Sequence, residues 1–342
     1  MIITKTPYRV SFFGGGTDYP EWYLAEGGAV LSTTIDKYCY ITCRVFPPFF
    51  ANKHRIVWSH IETVSTVAEI LHPVVREGMR FLGYDDSMGL EVHHQGDLPA
   101  RSGIGSSSSF TVGFINALEA LRGQRLGKHE LAMKAIELEQ QLLKENVGSQ
   151  DQVAAAYGGV NLIEFKKSGE IQVHEPRVPR ERLEELQSRL LLVFTGHSRL
   201  GSDIATDLVG TLRSKHRILS GLRTMVDQAT DILEGNGCLD DLGRLLDAGW
   251  ALKRQLSGSV TTPAIDTFYR TAIDHGALGG KLLGAGGTGF MVFYVPPHKR
   301  QSVIKALASC LYVPFKFEFE GTQFIQDDAA LNHLPVPAGH VP

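Results

Sequence analysis

The sequence is poor in the features that mark several whole classes of protein. Its four cysteines, Cys39, Cys43, Cys238 and Cys310, form no CxxC pair in 342 residues, which speaks against a disulfide scaffold and against a zinc site of the usual spacing. Cys39 and Cys43 fall on one face of a predicted strand without further ligands beside them, and read as small apolar packing groups. No stretch approaches the ~20 apolar residues of a membrane span, and the N-terminus has no apolar export core. A reducing cytoplasm is the expected setting. The formal charge of −3 gives no support for nucleic acid as a partner, which favours a basic face. No GxxxxGK[ST] phosphate loop is found, since Gly123 to Lys128 is one residue too short and lacks the hydroxyl residue. The HRD and DFG signatures are absent as well.

What is present suits a globular protein of about two domains. Hydrophobic residues make up 43% and charged residues 21%, enough apolar material for a proper core. A strand-like start, Met1 to Val10, runs into Gly14-Gly15-Gly16, where something must approach the backbone closely. One or two strands are predicted over Ala29 to Phe46, and another over Leu90 to His94. Helical spacing predicts a helix from near Ser107 to Gly123, a second over Lys128 to Lys144, and a short one over Asp151 to Tyr157. The charged, proline-containing stretch Lys166 to Gln187 is the best domain boundary, giving domains of 1–170 and 188–333. Beyond it come a strand at Leu190 to Phe194, helical patterns over much of Ser202 to His275, a strand at Phe290 to Val295, a helix at Lys299 to Cys310 and a last strand at Tyr312 to Glu320. A Pro- and Gly-rich tail follows. Strands and helices mix without strict alternation, so the fold class is α+β.

Three glycine-rich runs carry the chemistry. In Leu98 to Ser109 (LPARSGIGSSSS) a strand enters, glycines turn the backbone and a helix leaves, which aims several N–H groups and a helix dipole at one point. Phosphate oxygens suit that point. A serine-rich helix cap would use fewer than four consecutive serines. Gly284 to Gly289 matches GxGxxG literally, yet a strand and not a helix follows it, so a dinucleotide fingerprint is the wrong reading. This loop is expected to pack on another backbone or to close over phosphates, with a hairpin turn as the plain alternative. The third run is Gly14-Gly15-Gly16-Thr17-Asp18.

Taken together, Thr6 to Tyr19, Pro99 to Ser109 and Lys281 to Met291 resemble the three motifs of the GHMP kinase superfamily, in order and spacing, over nearly the whole chain. Within it, GGGTD and Gln150 to Gly159 (QDQVAAAYGG) look most like bacterial D-glycero-D-manno-heptose 7-phosphate kinases, and fucose kinases share part of the pattern. The resemblance implies an N-terminal domain related to ribosomal protein S5 domain 2, a C-terminal α+β domain and an active site between them. It further implies ATP and Mg2+, phosphorylation of an anomeric hydroxyl, and a product on the route to nucleotide-activated heptose for lipopolysaccharide or capsule. The expected partner is a small-molecule sugar or sugar phosphate, with neither nucleic acid nor membrane; a homodimer is allowed.

Roles follow from that register. The nucleotide is assigned to Pro99, Ser102, Gly103, Ile104, Gly105, Ser106, Ser107 and Ser108. Magnesium prefers hard oxygen ligands, and the resemblance gives it Ser107 and Glu139, the latter on a helix that can pack beside the first. Asp151 stands where the family has its catalytic aspartate, to accept or align the hydroxyl proton. Arg9 matches a cationic position that steadies the moving phosphoryl charge. The sugar is assigned to Gly14, Gly15, Gly16, Thr17, Asp18 and Tyr19, with Asp18 able to take two hydroxyls, and to Gly286 and Gly287. A 7-phosphate would call for a cation, for which Arg199 and Lys281 are candidates. His93-His94 reads as strand surface. Two other classes compete: an alcohol kinase or decarboxylase on the same fold, and a sugar- and ATP-binding regulator without catalysis. GGGTD argues against the first, and retention of Arg9, Ser107, Glu139 and Asp151 against the second.

Overall fold

A long antiparallel pair founds the N-terminal half: β1 (Ile2–Phe13) runs against β2 (Gly28–Val45), with Ile2 opposite Cys43 and Phe13 opposite Leu31. The computed structural model of the chain describes residues 1–196 and 215–328. β1 is buried continuously from Thr6 onward, because both of its faces are covered; it carries on past Val10 and stops at Gly14, the first residue with positive φ. Between the two strands lies α1 (Pro20–Glu26), started by a proline that fits the first helical position.

β2 has 18 residues, and its length lets it serve several neighbours in succession. β3 (His54–Val57), β4 (Ile61–Val64) and β5 (Leu90–Gly96), with α2 (Pro73–Phe81) before β5, extend the sheet in the order β1-β2-β5-β3-β4. Residues 28–33 of β2 pair instead with β6 (Val160–Phe165), which pairs in turn with β7 (Ile171–His174).

Three helices set the site on this sheet. α3 (Ser106–Leu121) is buried on nearly all sides. It sits tight on β1 because Gly113 has no side chain: a Cβ there would lie 2.6 Å from Thr6 Oγ1. Thr4 Oγ1 donates to Gly113 O at 3.1 Å, and Ser109 Oγ to Pro7 O at 2.8 Å. α4 (Lys128–Glu137) passes into a π-helical turn, Leu138–Leu142, where the sequence predicts an unbroken helix to Lys144. α5 (Gln150–Tyr157) follows.

The expected boundary region, Lys166 to Gln187, instead contains β7 and most of α6 (Arg180–Arg189). A second, antiparallel sheet follows in the order β11-β8-β10-β9, from β8 (Leu190–Phe194), β9 (Gly279–Leu282), β10 (Phe290–Tyr294) and β11 (Leu311–Val313). Among the described residues its helices are α7 (His216–Glu234), α8 (Asp240–Lys253), α9 (Pro263–Asp274) and α10 (Arg300–Ala306).

The chain end departs from the sequence reading. Tyr312 to Glu320 is not one strand but β11 and a separate β12 (Phe317–Glu318), and β13 (Gln323–Asp327) follows where a tail is predicted. β12 pairs with β2 and β13 with β1, so these residues belong to the first sheet and a division at 188–333 does not hold. The physical reason is the open edge of β1, whose unpaired N–H and C=O groups need a partner. The remainder of the predicted tail lies outside the described residues.

Candidate active site

The serine-rich run becomes an anion cradle because its own carbonyls are occupied elsewhere. Ser102 O accepts from Phe290 N at 3.1 Å, and Ile104 O accepts from Arg9 N at 3.1 Å. Gly103 O accepts from the Arg9 guanidinium at 2.5 Å. Ser109 N, bonded to Gly105 O at 2.9 Å, is the first N–H of the helical ladder. The N–H groups of Ser106, Ser107 and Ser108 therefore lie free at the positive end of α3, the arrangement that binds phosphate. Gly105 caps the helix with φ 73°, and a Cβ on it would come 3.1 Å from Arg9 Cγ and 3.3 Å from Asp151 Oδ2. Pro99 and Ser102 shape the approach through a Ser102 Oγ to Pro99 O bond of 2.6 Å, and Ser106 Oγ accepts from Arg101 N at 3.0 Å. Ile104 is buried.

Asp151 stands in the first turn of α5 and meets Arg9 of β1 in a two-pronged pair, Nε to Oδ1 and Nη2 to Oδ2, both 2.7 Å. Arg9 is 5% exposed and Asp151 22%, so the arginine is fixed in the protein while the carboxylate keeps an open side toward the cradle.

Glu139 is wholly buried, whereas its helix neighbour Glu137 is exposed. The π-helical turn accounts for the inward aim, since an inserted residue shifts the faces of the helix locally. Glu139 Oε2 accepts from Ser108 Oγ at 2.9 Å and from Gln152 Nε2, while Oε1 has no hydrogen-bond partner. Burial pushes its carboxyl up to about 7. The hydroxyl that reaches Glu139 is thus that of Ser108. Ser107, expected with Glu139 as a magnesium ligand, makes no bond to it and is exposed one step earlier on the helix, since each residue turns the side chain by about 100°.

The Gly14 to Tyr19 loop, where a sugar is expected, is more enclosed than the sequence suggests. Thr17, expected to offer its hydroxyl, is buried with Oγ1 2.8 Å from Gly14 O and 2.9 Å from Ala29 O; it pins the loop to β2. Tyr19 is buried in the core rather than laid over a sugar face. Asp18 is 2% exposed, and its two oxygens accept from Gly16 N at 2.9 Å and Gln150 Nε2 at 2.8 Å. Burial pushes its carboxyl up. Bidentate capture of two hydroxyls is not open to a carboxylate so engaged. Gly14 and Gly16 lie under Val226 and Leu219 of α7, and only Gly15 keeps partial exposure.

The GxGxxG loop packs on backbone, the first of the two roles foreseen for it. A Cβ on Gly284 would meet Gly103 Cα at 2.6 Å, and one on Gly289 would meet Ser102 O at 2.3 Å. Gly286 and Gly287 face Val260, with Gly287 N donating to Val260 O at 3.0 Å, so neither is placed against the sugar loop. Lys281, a candidate for a distal phosphate, is buried and donates to Phe12 O at 2.9 Å. Arg199 lies outside the described residues. His93 pairs with Glu91 at 3.0 Å and His94 meets the edge of Phe110. The described residues contain no cluster of three or more His, Cys, Asp or Glu able to hold a metal, and no helix long and apolar enough to cross a membrane.

Two residues escaped the sequence reading. Lys253, at the end of α8, is buried and donates to Gly284 O at 2.5 Å and Leu282 O at 3.3 Å, tying down the third loop. Burial, then the Arg9 charge, push its ammonium down to about 8. Gln150 was visible beside Asp151, but only the fold brings it to Asp18.

Residues 65–159 match the GHMP kinases N terminal domain and residues 229–313 the GHMP kinases C terminal domain. A D-glycero-alpha-D-manno-heptose 7-phosphate kinase of Campylobacter jejuni subsp. jejuni is 31% identical over 90% of this chain and 93% of its own length. The chain belongs to the GHMP kinases. It is an ATP-dependent phosphotransferase, a sugar kinase of that family. An L-fucokinase/L-fucose-1-P guanylyltransferase of Bacteroides fragilis is 26% identical over 85% of this chain and 34% of its own. Among solved structures, one described as a D-glycero-D-manno-heptose 1-phosphate kinase from Bacteriodes thetaiotaomicron superposes with a TM-score of 0.78, at 24% identity over 95% of this chain and 99% of that one. That likeness shows the shared two-domain α+β fold.

Proposed function

We propose that this sugar kinase transfers the γ-phosphoryl group of ATP to the anomeric hydroxyl of D-glycero-D-manno-heptose 7-phosphate, giving the 1,7-bisphosphate for nucleotide-activated heptose of capsule or lipopolysaccharide. The observation that carries the reaction is the Arg9–Asp151 pair beside the free N–H groups of α3. ATP phosphates rest on the N–H groups of Ser106 to Ser108, with Gly103 and Gly105 letting them approach. The base has an aromatic surface within reach of the same helix, where Phe110 stacks on His72 at 4.6 Å and His72 meets Trp58 at 4.8 Å. Asp151 takes the proton of the sugar hydroxyl as its oxygen bonds to the γ-phosphorus and the bond to ADP breaks. Arg9 holds Asp151 in line and, by its charge, favours the more anionic transition state.

Magnesium suits the residues present. Glu139 Oε1 is a buried carboxylate oxygen with no hydrogen bond of good geometry, the Thr111 hydroxyl close enough to act on the carboxyl being turned to Ser107 O, and serine hydroxyls supply further hard oxygens. Glu139 and Ser107 are the proposed protein ligands, and the ion would neutralise phosphate charge.

The heptose assignment rests on the relative at 31% identity. A second reading, a fucose or other sugar 1-kinase, is favoured by the burial of Lys253 and Lys281 on backbone carbonyls, which withdraws both from a distal phosphate. An ADP-release assay over free sugars and sugar phosphates, with products located by phosphorus NMR, decides between them. Turnover of heptose 7-phosphate to a 1-phosphorylated product supports the first reading, and turnover confined to free sugars supports the second. No turnover on any hexose or heptose overturns both.

A further inference from the structure

Asp151 is flanked by two glutamines that point its helix at two different carboxylates. Gln152 donates to Glu139, on the magnesium side, and Gln150 donates to Asp18 at 2.8 Å, on the sugar side. Gln150 is 8% exposed, yet its carbonyl oxygen Oε1 has no hydrogen-bond partner. An amide facing a carboxylate must present its NH2 group, because a carbonyl there would set oxygen against oxygen. Asp18 therefore fixes the orientation of Gln150 and leaves Oε1 as an acceptor without a donor. Leaving a buried acceptor unmade costs about 1–3 kcal/mol, and native proteins seldom tolerate that without a use for the group.

A second orphan lies near the Gln150 amide, around Gly15. Ser11 Oγ, on β1 two residues from Arg9, is buried and has no partner. A Cβ on Gly15 would lie 3.9 Å from Gln150 Nε2 and 3.9 Å from Ser11 Oγ. The two side chains thus stand across from Gly15, the one glycine of the sugar loop that keeps partial exposure. Ser11 can donate and accept, and Gln150 Oε1 can only accept. A polyol matches that set, since every sugar hydroxyl is both donor and acceptor.

We propose that Gln150 and Ser11 are specificity residues of the sugar site: Gln150 Oε1 accepts a hydrogen bond from an acceptor hydroxyl next to the reacting one, and Ser11 Oγ meets a neighbouring hydroxyl. The inference rests on the reading that the acceptor is a sugar bound at Gly14 to Asp18, and it deepens that reading. Asp18 then acts through Gln150, as a positioning residue, rather than on the sugar directly.

The test is calorimetric binding of a panel of sugars and sugar phosphates, with deoxy analogues of the tightest binder, to the full chain and to Gln150→Met and Ser11→Ala. Gln150→Met is expected to weaken the parent sugar roughly ten-fold, while one deoxy analogue binds wild type and variant alike. Ser11→Ala is expected to do the same with a different, neighbouring deoxy position, and it removes only one hydroxyl should the first variant fold poorly. Equal losses across the parent and every deoxy analogue mean that the residues merely support the loop, and overturn the proposal; so does unchanged binding. Because binding is read directly, a panel that binds without turnover refutes the heptose kinase reading and still decides this one.

Discussion

Arg9 and Asp151 meet edge to edge, with two parallel bonds of 2.7 Å, and the third arm of the arginine holds Gly103 O at 2.5 Å. One guanidinium thus ties the proposed proton acceptor to the serine-rich loop. Bidentate pairing fixes orientation as well as distance, which is what in-line transfer demands.

Replacing Asp151 with Asn keeps the shape and removes the proposed proton acceptor. Steady-state kinetics should show kcat lowered by about 10²–10⁴ with KM for ATP little changed. Undiminished turnover would sink the assigned role. Arg9→Met should lower kcat too, and in addition cost about 2 kcal/mol of stability, read by urea unfolding, because Asp151 and Gly103 both lose their partner.

Glu139 predicts a pH effect. Its folded carboxyl titrates at about 7, against an ordinary value of 4.5, so the folded state binds the proton more tightly than the unfolded chain. The resulting stability is complete below about 4.5 and is lost as pH rises through about 7, on the order of 3 kcal/mol in all. Melting without magnesium should follow that slope in wild type and lack it in Glu139→Gln. Magnesium competes with the proton, so its affinity by calorimetry should rise with pH up to about 7. An affinity flat across that range would refute Glu139 as a ligand.

Gly148 bears directly on the proposed sugar site. A Cβ there would fall 1.9 Å from Asp18 Oδ2. Gly148→Ala must displace the Asp18 carboxylate, and with it the Gln150 amide. KM for the sugar should rise about ten-fold, KM for ATP should stay level, and stability should drop by about 1–3 kcal/mol. Equal changes in both KM values would show that the strain spreads to the nucleotide side.

Lys253 should matter for ATP instead. Lys253→Met removes the donor to Gly284 O and Leu282 O and loosens the loop that packs on Gly103. The expected result is a higher KM for ATP and a lower melting temperature, with sugar affinity preserved. An unchanged KM for ATP would limit Lys253 to a packing role.

Motifs were legible in the sequence to the extent that their chemistry is local. The glycines at 103 and 105 and the serines after them announce themselves by composition and α3 by periodicity, whereas the QDQ run stood out only through its resemblance to the family. That Ser108 is the serine bonded to Glu139 depends on helix phase, set by Gly113 against Thr6. Thr17 and Tyr19 were assigned to the sugar because their chemistry allows it, but β2 and the core claim them. The π-helical turn under Glu139 has no compositional mark. Lys253 is 28 residues from Lys281 in sequence, and only the packing of α8 on β9 brings it to the third loop. The strand β13 was lost because a short polar segment at a chain end reads as tail until its partner edge is known.

The carbonyls of Ser102, Gly103 and Ile104 are held, in turn, by β10, by the Arg9 side chain and by the Arg9 main chain. Two of these anchors belong to the first sheet and one to the second. The phosphate cradle is therefore not the property of either half, and it exists only while the two are assembled. ATP should accordingly act on the melting of the entire chain as a single cooperative unit, since a ligand that binds only the assembled form stabilises everything the form requires. In calorimetry the nucleotide should move one common transition upward, rather than split off a protected N-terminal piece.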